Sequence, residues 1–206
     1  TEQNYKKNGY VIMFLEKDYR NRTQGWIEVV CGSMFSGKTE ELIRRLNRAR
    51  IAKLKVETFK PSIDIRYSDE DVVSHNESSL HSIVVESASQ ILFYSNDVDV
   101  IGIDEAQFFD DELVNVCQTL ANQGVRVIVA GLDMDYTGKP FGPMPALMAV
   151  AEDVSKVHAI CMRCGGLAQY SHRTVKVDKL VVLGETDTYE PLCRSCYNKA
   201  LREGNE

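Results

Sequence analysis

From Trp26 to about Val157 the chain alternates between short apolar runs and stretches whose apolar residues recur every three or four positions. Trp26-Ile-Glu-Val-Val-Cys31 predicts a buried strand. Comparable runs at 54–59, 82–85, 98–103 and 125–132, each rich in β-branched residues, predict four more. Helical patterns separate several of them. Leu42, Ile43, Leu46 and Ala49 keep helical spacing, which places Arg44, Arg45 and Arg48 on the other side of that helix. Over 111–122, Leu113, Val114, Val116, Cys117 and Leu120 form one broad apolar face, and Gly124 is the predicted stop. This alternation predicts an α/β fold, a parallel sheet with helices on both faces.

The two ends of the chain break the pattern. Residues 1–24 are polar and charged around one short apolar patch at 10–15, and read as an extension outside the core. Beyond Val157 come short strand candidates at 168–177 and 180–183, a charged turn at Asp178 and Lys179, a glycine pair and two cysteine pairs. The expected organisation is therefore an extension (1–24), a main domain (25–157) and a small C-terminal domain (158–206).

Composition narrows the function classes. At 206 residues and 44% hydrophobic composition the chain can bury a sizeable core. The formal net charge of -6 argues against a nucleic-acid partner, because a protein that binds phosphate backbones needs a basic face to release counterions. No run approaches the roughly 18 apolar residues of a membrane span, and none has the form of an export signal. The expectation is a cytoplasmic protein without a membrane partner.

The first candidate chemistry sits where the first strand gives way to the first helix. Gly32-Ser33-Met34-Phe35-Ser36-Gly37-Lys38-Thr39 satisfies the phosphate-binding pattern G-x-x-x-x-G-K-[ST] in that strand–turn–helix context. Its backbone N–H groups and helix N-terminus suit the phosphates of ATP. Lys38 would bridge the outer phosphates, and Thr39 would offer its hydroxyl to magnesium. A second motif, Ile103-Asp104-Glu105-Ala106-Gln107-Phe108, places two adjacent carboxylates at the tip of another buried strand. Asp104 suits a hard cation, and Glu105 is then free to act as a base. Alone, this motif would also fit a strand end that merely meets solvent.

Cys161-Met-Arg-Cys164 and Cys193-Arg-Ser-Cys196 have the spacing that brings two thiolate pairs to one tetrahedral zinc. Four protein ligands leave no open position, so the metal would be structural. A redox pair is the competing reading, but that chemistry uses one such motif rather than two around a loop. Cys31 and Cys117, in a strand and on an apolar helix face, are expected core residues. His158 and His172 lie near the cysteine pairs but receive no ligand role, and His75 and His81 are expected at the surface.

In this order, GSMFSGKT, IGIDEAQFF, KPFG and CMRC…CRSC resemble the type II thymidine kinase family over about residues 26–200. The resemblance implies a RecA-like P-loop core, a zinc-anchored lasso that closes over thymidine, a homotetramer, and feedback inhibition by dTTP. It implies that Glu105 accepts the proton of the 5′-hydroxyl, that Asp104, Ala106 and Gln107 belong to the nucleotide and magnesium site, and that Asp64, Ile65 and Arg66 touch the phosphates, with Arg66 stabilising charge on the transferring group. The thymine ring would lie among Met34, Phe108, Leu132, Tyr136, Phe141 and Tyr189. Backbone groups of Leu180, Val181, Val182, Leu183 and Gly184 would hydrogen-bond the base, with a contribution from Ser171. Gly131 and Tyr136 depart from the alanine and phenylalanine of animal relatives, and neither departure is expected to alter the chemistry. The alternative from another class is a nucleic-acid-dependent P-loop ATPase with a zinc knuckle, for which this length leaves no second motor lobe.

Overall fold

The computed structural model of the chain describes residues 24–62, 82–175 and 188–203. Its main body is a six-stranded sheet in which every pairing is parallel, in the order β3-β2-β4-β5-β1-β6. The strands are β1 (Trp26–Gly32), β2 (Val56–Pro61), β3 (Ile83–Val85), β4 (Val100–Ile103), β5 (Arg126–Leu132) and β6 (Asp153–Val157). The first five answer the predicted apolar runs. The sixth was not foreseen: Asp-Val-Ser-Lys-Val is mostly polar and lacks a regular apolar period, as suits a strand at the sheet edge, beside β1 only.

Helices cover both faces. α1 (Lys38–Ile51) packs Leu42, Leu46 and Ala49 against Val30, Val100, Ile128 and Ala130 on one face. α2 (Glu112–Asn122), a 3-10 segment at Ala88–Tyr94 and α3 (Met144–Val150) cover the other, over Ile27, Val29, Cys31, Ile101, Ile103, Val127 and Val129. Asp110 starts α2, its carboxylate accepting from the Glu112 amide (3.1 Å). Gly124 stops it in a left-handed conformation (φ 95°). α3 has no counterpart among the predicted helices, being one short stretch with prolines at 143 and 145.

One helical assignment needs correction. Arg44 and Arg48 face solvent, but Arg45 is buried in the apolar seam of α1. Glu28, facing it from β1, explains this: Arg45 donates to Glu28 (2.7 Å), Glu41 (2.8 Å) and Asp153 (3.3 Å), and Arg126 of β5 donates to both Glu28 oxygens (2.7 and 3.1 Å). Burial pushes the Glu28 carboxyl up, but Arg126, Trp26 and Arg45 outweigh it and hold the group below its ordinary value.

C-terminal to the sheet, β7 (Ala159–Ile160) pairs with β8 (Leu167–Ala168), and β9 (Tyr170–Arg173) pairs antiparallel with β10 (Tyr189–Leu192). α4 (Arg194–Glu203) follows. The strand expected over 168–177 is thus broken at Gln169, β9 ends at Arg173, and residues 176–177 lie outside the described residues. Residues 1–23 and the strand candidate at 180–183 lie outside the described residues.

Candidate active site

β1 delivers the glycine turn to the C-terminal edge of the sheet, between β5 and β6. Gly32 is required there, since a Cβ would stand 2.2 Å from the Val157 carbonyl oxygen of β6. Gly37 (φ 81°) turns the chain into α1. Inside the turn the Ser33 carbonyl accepts from both Ser36 Oγ (2.7 Å) and Lys38 Nζ (2.8 Å), so the lysine folds back over its own loop. Burial depresses the Lys38 pKa, while Glu105, Asp104 and Asp133 act to keep it charged. Phe35 occupies a left-handed conformation (φ 60°) at the exposed crest of the loop.

β4 supplies the facing carboxylates. The Asp104 amide donates to the Phe59 carbonyl of β2 (2.9 Å), fixing the strand tip, and Thr39 Oγ1 donates to Asp104 Oδ2 (3.1 Å). The two predicted metal-side groups are therefore adjacent although 65 positions apart in the chain. Burial and the neighbouring Glu105 raise the Asp104 carboxyl to about 7. Two half-buried carboxylates beside a hydroxyl form a donor set of oxygens alone, which fits a hard divalent cation.

Glu105 itself adopts φ 51°, and this left-handed turn separates its direction from that of Asp104. Gln107 then bridges two strand ends, its Nε2 donating to Glu105 Oε2 (2.5 Å) and its Oε1 accepting from the Leu132 amide (2.9 Å). A side chain assigned to the nucleotide site thus also orients the candidate base. Phe108 meets Phe141 edge to face at 5.6 Å, and Gly142 must lack a Cβ because it would lie 2.3 Å from the Gln107 carbonyl.

Two further predicted pocket residues come from the C-terminal strands, while Leu132 ends β5 and Tyr136 lies in the loop after it. Ser171 of β9 is buried, and its Oγ accepts from the backbone amide of Met34 in the glycine turn (2.9 Å). Tyr189 of β10 is buried opposite Arg173 of β9, whose guanidinium lies 3.6 Å above the Tyr136 ring centre. Asp64, Ile65, Arg66 and the backbone groups of Leu180, Val181, Val182, Leu183 and Gly184 lie outside the described residues, as do His75 and His81.

The four cysteine sulfurs lie within 4.8 Å of one another, and Cys164 Sγ is 3.6 Å from Cys193 Sγ. Tetrahedral zinc at about 2.3 Å from each sulfur sets its ligands about 3.8 Å apart, so the cluster fits zinc, and the separation is far too long for a disulfide of about 2.05 Å. Burial opposes the Cys161 thiolate, but the amides of Cys193, Arg163 and Cys164 outweigh it and bring the thiol down to about 6. Cys31 and Cys117 are core residues as expected, pushed up by burial to about 11 and about 12.

Three contributors were missed. Asp133, just beyond β5, is buried and reaches across β1 to Lys156 of β6 (2.7 Å), with its Oδ1 lacking a hydrogen-bond partner among the described residues. Tyr197 and Arg173 touch the loop that follows β5. No local spacing marks any of these, since each acts on a partner distant in the chain.

The thymidine kinase family model matches residues 25–197. The chain belongs to the thymidine kinase family. Among similar family members, a thymidine kinase of Bacteroides fragilis is 61% identical over 95% of this chain and 99% of its own length. One from Bacteroides thetaiotaomicron is 60% identical over the same shares. Another, from a Rhodothermus species, is 63% identical over 84% of this chain and 81% of its own. The family places the glycine turn, the Asp104–Glu105 tip and the cysteine cluster within one matched span.

Proposed function

We propose that this chain is an ATP:thymidine 5′-phosphotransferase, giving dTMP. The observation that carries the reading is the meeting of the phosphate loop with the acidic strand tip, Thr39 Oγ1 to Asp104 at 3.1 Å, in a chain 61% identical to thymidine kinases.

Lys38 lies folded onto the Ser33 carbonyl, and swinging it out to the β- and γ-phosphates exchanges a neutral acceptor for charged ones. Thr39 and Asp104 would hold magnesium, which would supply positive charge to stabilise the phosphoryl oxygens. Glu105, oriented by Gln107, takes the proton of the 5′-hydroxyl as that oxygen attacks the γ-phosphorus and ADP leaves. Arg66 adds positive charge at the transferring group. Such a transition state asks mainly for in-line positioning and charge stabilisation.

Met34, Phe108, Leu132, Tyr136, Phe141, Tyr189 and Ser171 surround the thymine in this reading, with the backbone at 180–184 reading its polar edge. The zinc cluster holds the strands that carry Ser171 and Tyr189. The protein acts in the cytoplasm, assembles as a homotetramer and is inhibited by dTTP. No helix among the described residues is long and apolar enough to cross a membrane.

The test is phosphorylation of labelled thymidine by the zinc-replete protein with magnesium and ATP, beside Glu105→Gln. Formation of dTMP, cut by about a hundredfold or more in the variant, supports both substrate and base. Absence of dTMP from the parent protein refutes the reading, and undiminished turnover in the variant removes Glu105 from the base role. Hydrolysis of ATP that needs nucleic acid would favour the ATPase alternative.

A further inference from the structure

The loop between β5 and α3 carries Tyr136 and Phe141, and it is braced from within. Asp135 Oδ1 accepts from the Thr137 amide (2.8 Å), Thr137 Oγ1 (2.6 Å) and the Lys139 amide (3.1 Å), while the Asp135 amide donates to the Lys139 carbonyl (2.9 Å). Met134 bridges to Pro140, and the Phe141 amide donates to the Asp133 carbonyl (3.2 Å). A loop tied together this closely moves as a unit, so its position depends on where it is seated.

It has two seats. On the sheet side Phe141 rests edge to face on Phe108. On the other side stands Tyr197, the residue after Cys196. It is buried, stacked face to face on Tyr170 (4.4 Å between ring centres, 11° between planes), and its hydroxyl donates to the Tyr136 carbonyl (2.8 Å). Arg173 covers the Tyr136 ring at 3.6 Å. Gly138 lies so close that a Cβ there would be 3.3 Å from the Tyr170 ring and 3.5 Å from the Tyr197 hydroxyl. Tyr136 is thus fixed at its backbone by Tyr197 and at its ring by Arg173.

We infer that Tyr197 and Arg173 are positioning residues for the nucleoside, seating the 133–141 loop against the cysteine-bearing module so that Tyr136 and Phe141 stand ready around the base. The inference rests on the assignment of Tyr136 and Phe141 to the thymidine pocket. It separates two connections between that module and the sheet. Ser171 ties β9 to the glycine turn at Met34, where the phosphate loop meets the thymine pocket, whereas Tyr197 and Arg173 tie α4 and β9 to the 133–141 loop, which carries pocket residues and no phosphate-binding ones. Loss of either residue's contact therefore weakens thymidine binding and leaves ATP binding and the chemical step alone.

Tyr197→Phe keeps the ring stack and removes only the hydroxyl, and Arg173→Met keeps an apolar stem and removes the charge over Tyr136. In the zinc-replete protein, each variant should raise KM for thymidine about three- to tenfold, the span expected for one net hydrogen bond or cation–π contact. KM for ATP and kcat should stay within about twofold, and zinc content should equal that of the parent. Equilibrium dialysis with labelled thymidine should show the same rise in Kd without turnover. Unchanged thymidine affinity in both variants overturns the inference. So does a parallel rise in KM for ATP or a loss of zinc, either of which marks general support of the fold. A parent protein that makes no dTMP removes the functional reading instead, and this inference with it.

Discussion

Gly131 carries more of the site than its lack of a side chain suggests. A Cβ at this position of β5 would stand 2.7 Å from Met144 Sδ and 2.9 Å from Gln107 Oε1, the atom that accepts from the Leu132 amide. Glycine in place of the alanine of animal relatives is not expected to alter the chemistry, but in this chain the reverse change meets tight packing. Gly131→Ala must push aside either Met144 of α3 or the side chain that orients Glu105. Such overpacking costs about 1–3 kcal/mol. The expected result is a lower urea midpoint together with reduced turnover, and parent-like values of both would mean that Met144 gives way freely. The same contrast explains what could be read from residues in order. Lys38, Thr39, Asp104 and Glu105 were legible because their chemistry is written in short local spacing. Asp133, Arg173 and Tyr197 were not, because each is defined by a partner that only the fold brings near.

Between elements, buried charge joins α1 to the sheet beside their apolar contact. Arg45, Glu28 and Arg126 form a buried group with Asp153 and Glu41 at its margin. Hydrogen bonds from Arg44 and Arg45 bring the Glu41 carboxyl down to about 2, and Glu28 is also held below its ordinary 4.5. For a carboxyl depressed by folding, the unfolded chain binds more protons, so the stability it contributes is full above 4.5 and is lost as pH falls toward the folded value. Denaturant unfolding should therefore show stability falling steeply between about pH 4.5 and 2. Glu28→Gln should flatten that fall while lowering stability at neutral pH by about 3–5 kcal/mol, since two arginines lose their buried counter-charge. A variant as stable as the parent at pH 7 would contradict the assignment. This network also shows why helix faces were only partly readable. Apolar spacing located α1 correctly, but a buried arginine looks like a surface residue until its acidic partner on β1 is known. The short α3 and the edge strand β6 escaped for a related reason, having too few apolar repeats to show a period.

At the scale of the whole molecule, the cysteine-bearing module is tied to the sheet by Ser171 to Met34, Tyr197 to Tyr136 and the Arg173 stack. The cluster fits a metal that stabilises folding, since its ligands come from both sides of the β9–β10 pair. Stripping zinc with a chelator should lower the melting temperature and weaken thymidine binding, with zinc restoring both. A chelated protein, shown by elemental analysis to be metal-free, that melts like the parent would deny the metal this role. The sheet order has a temporal consequence as well. β1 is the first of the six strands to be made but is flanked by β5 and β6, so the ATP-gripping turn lacks its second wall until residue 157 has left the ribosome. Until then the greasy run from Trp26 to Cys31 keeps one edge open, a natural target for holding chaperones and a reason for slow maturation.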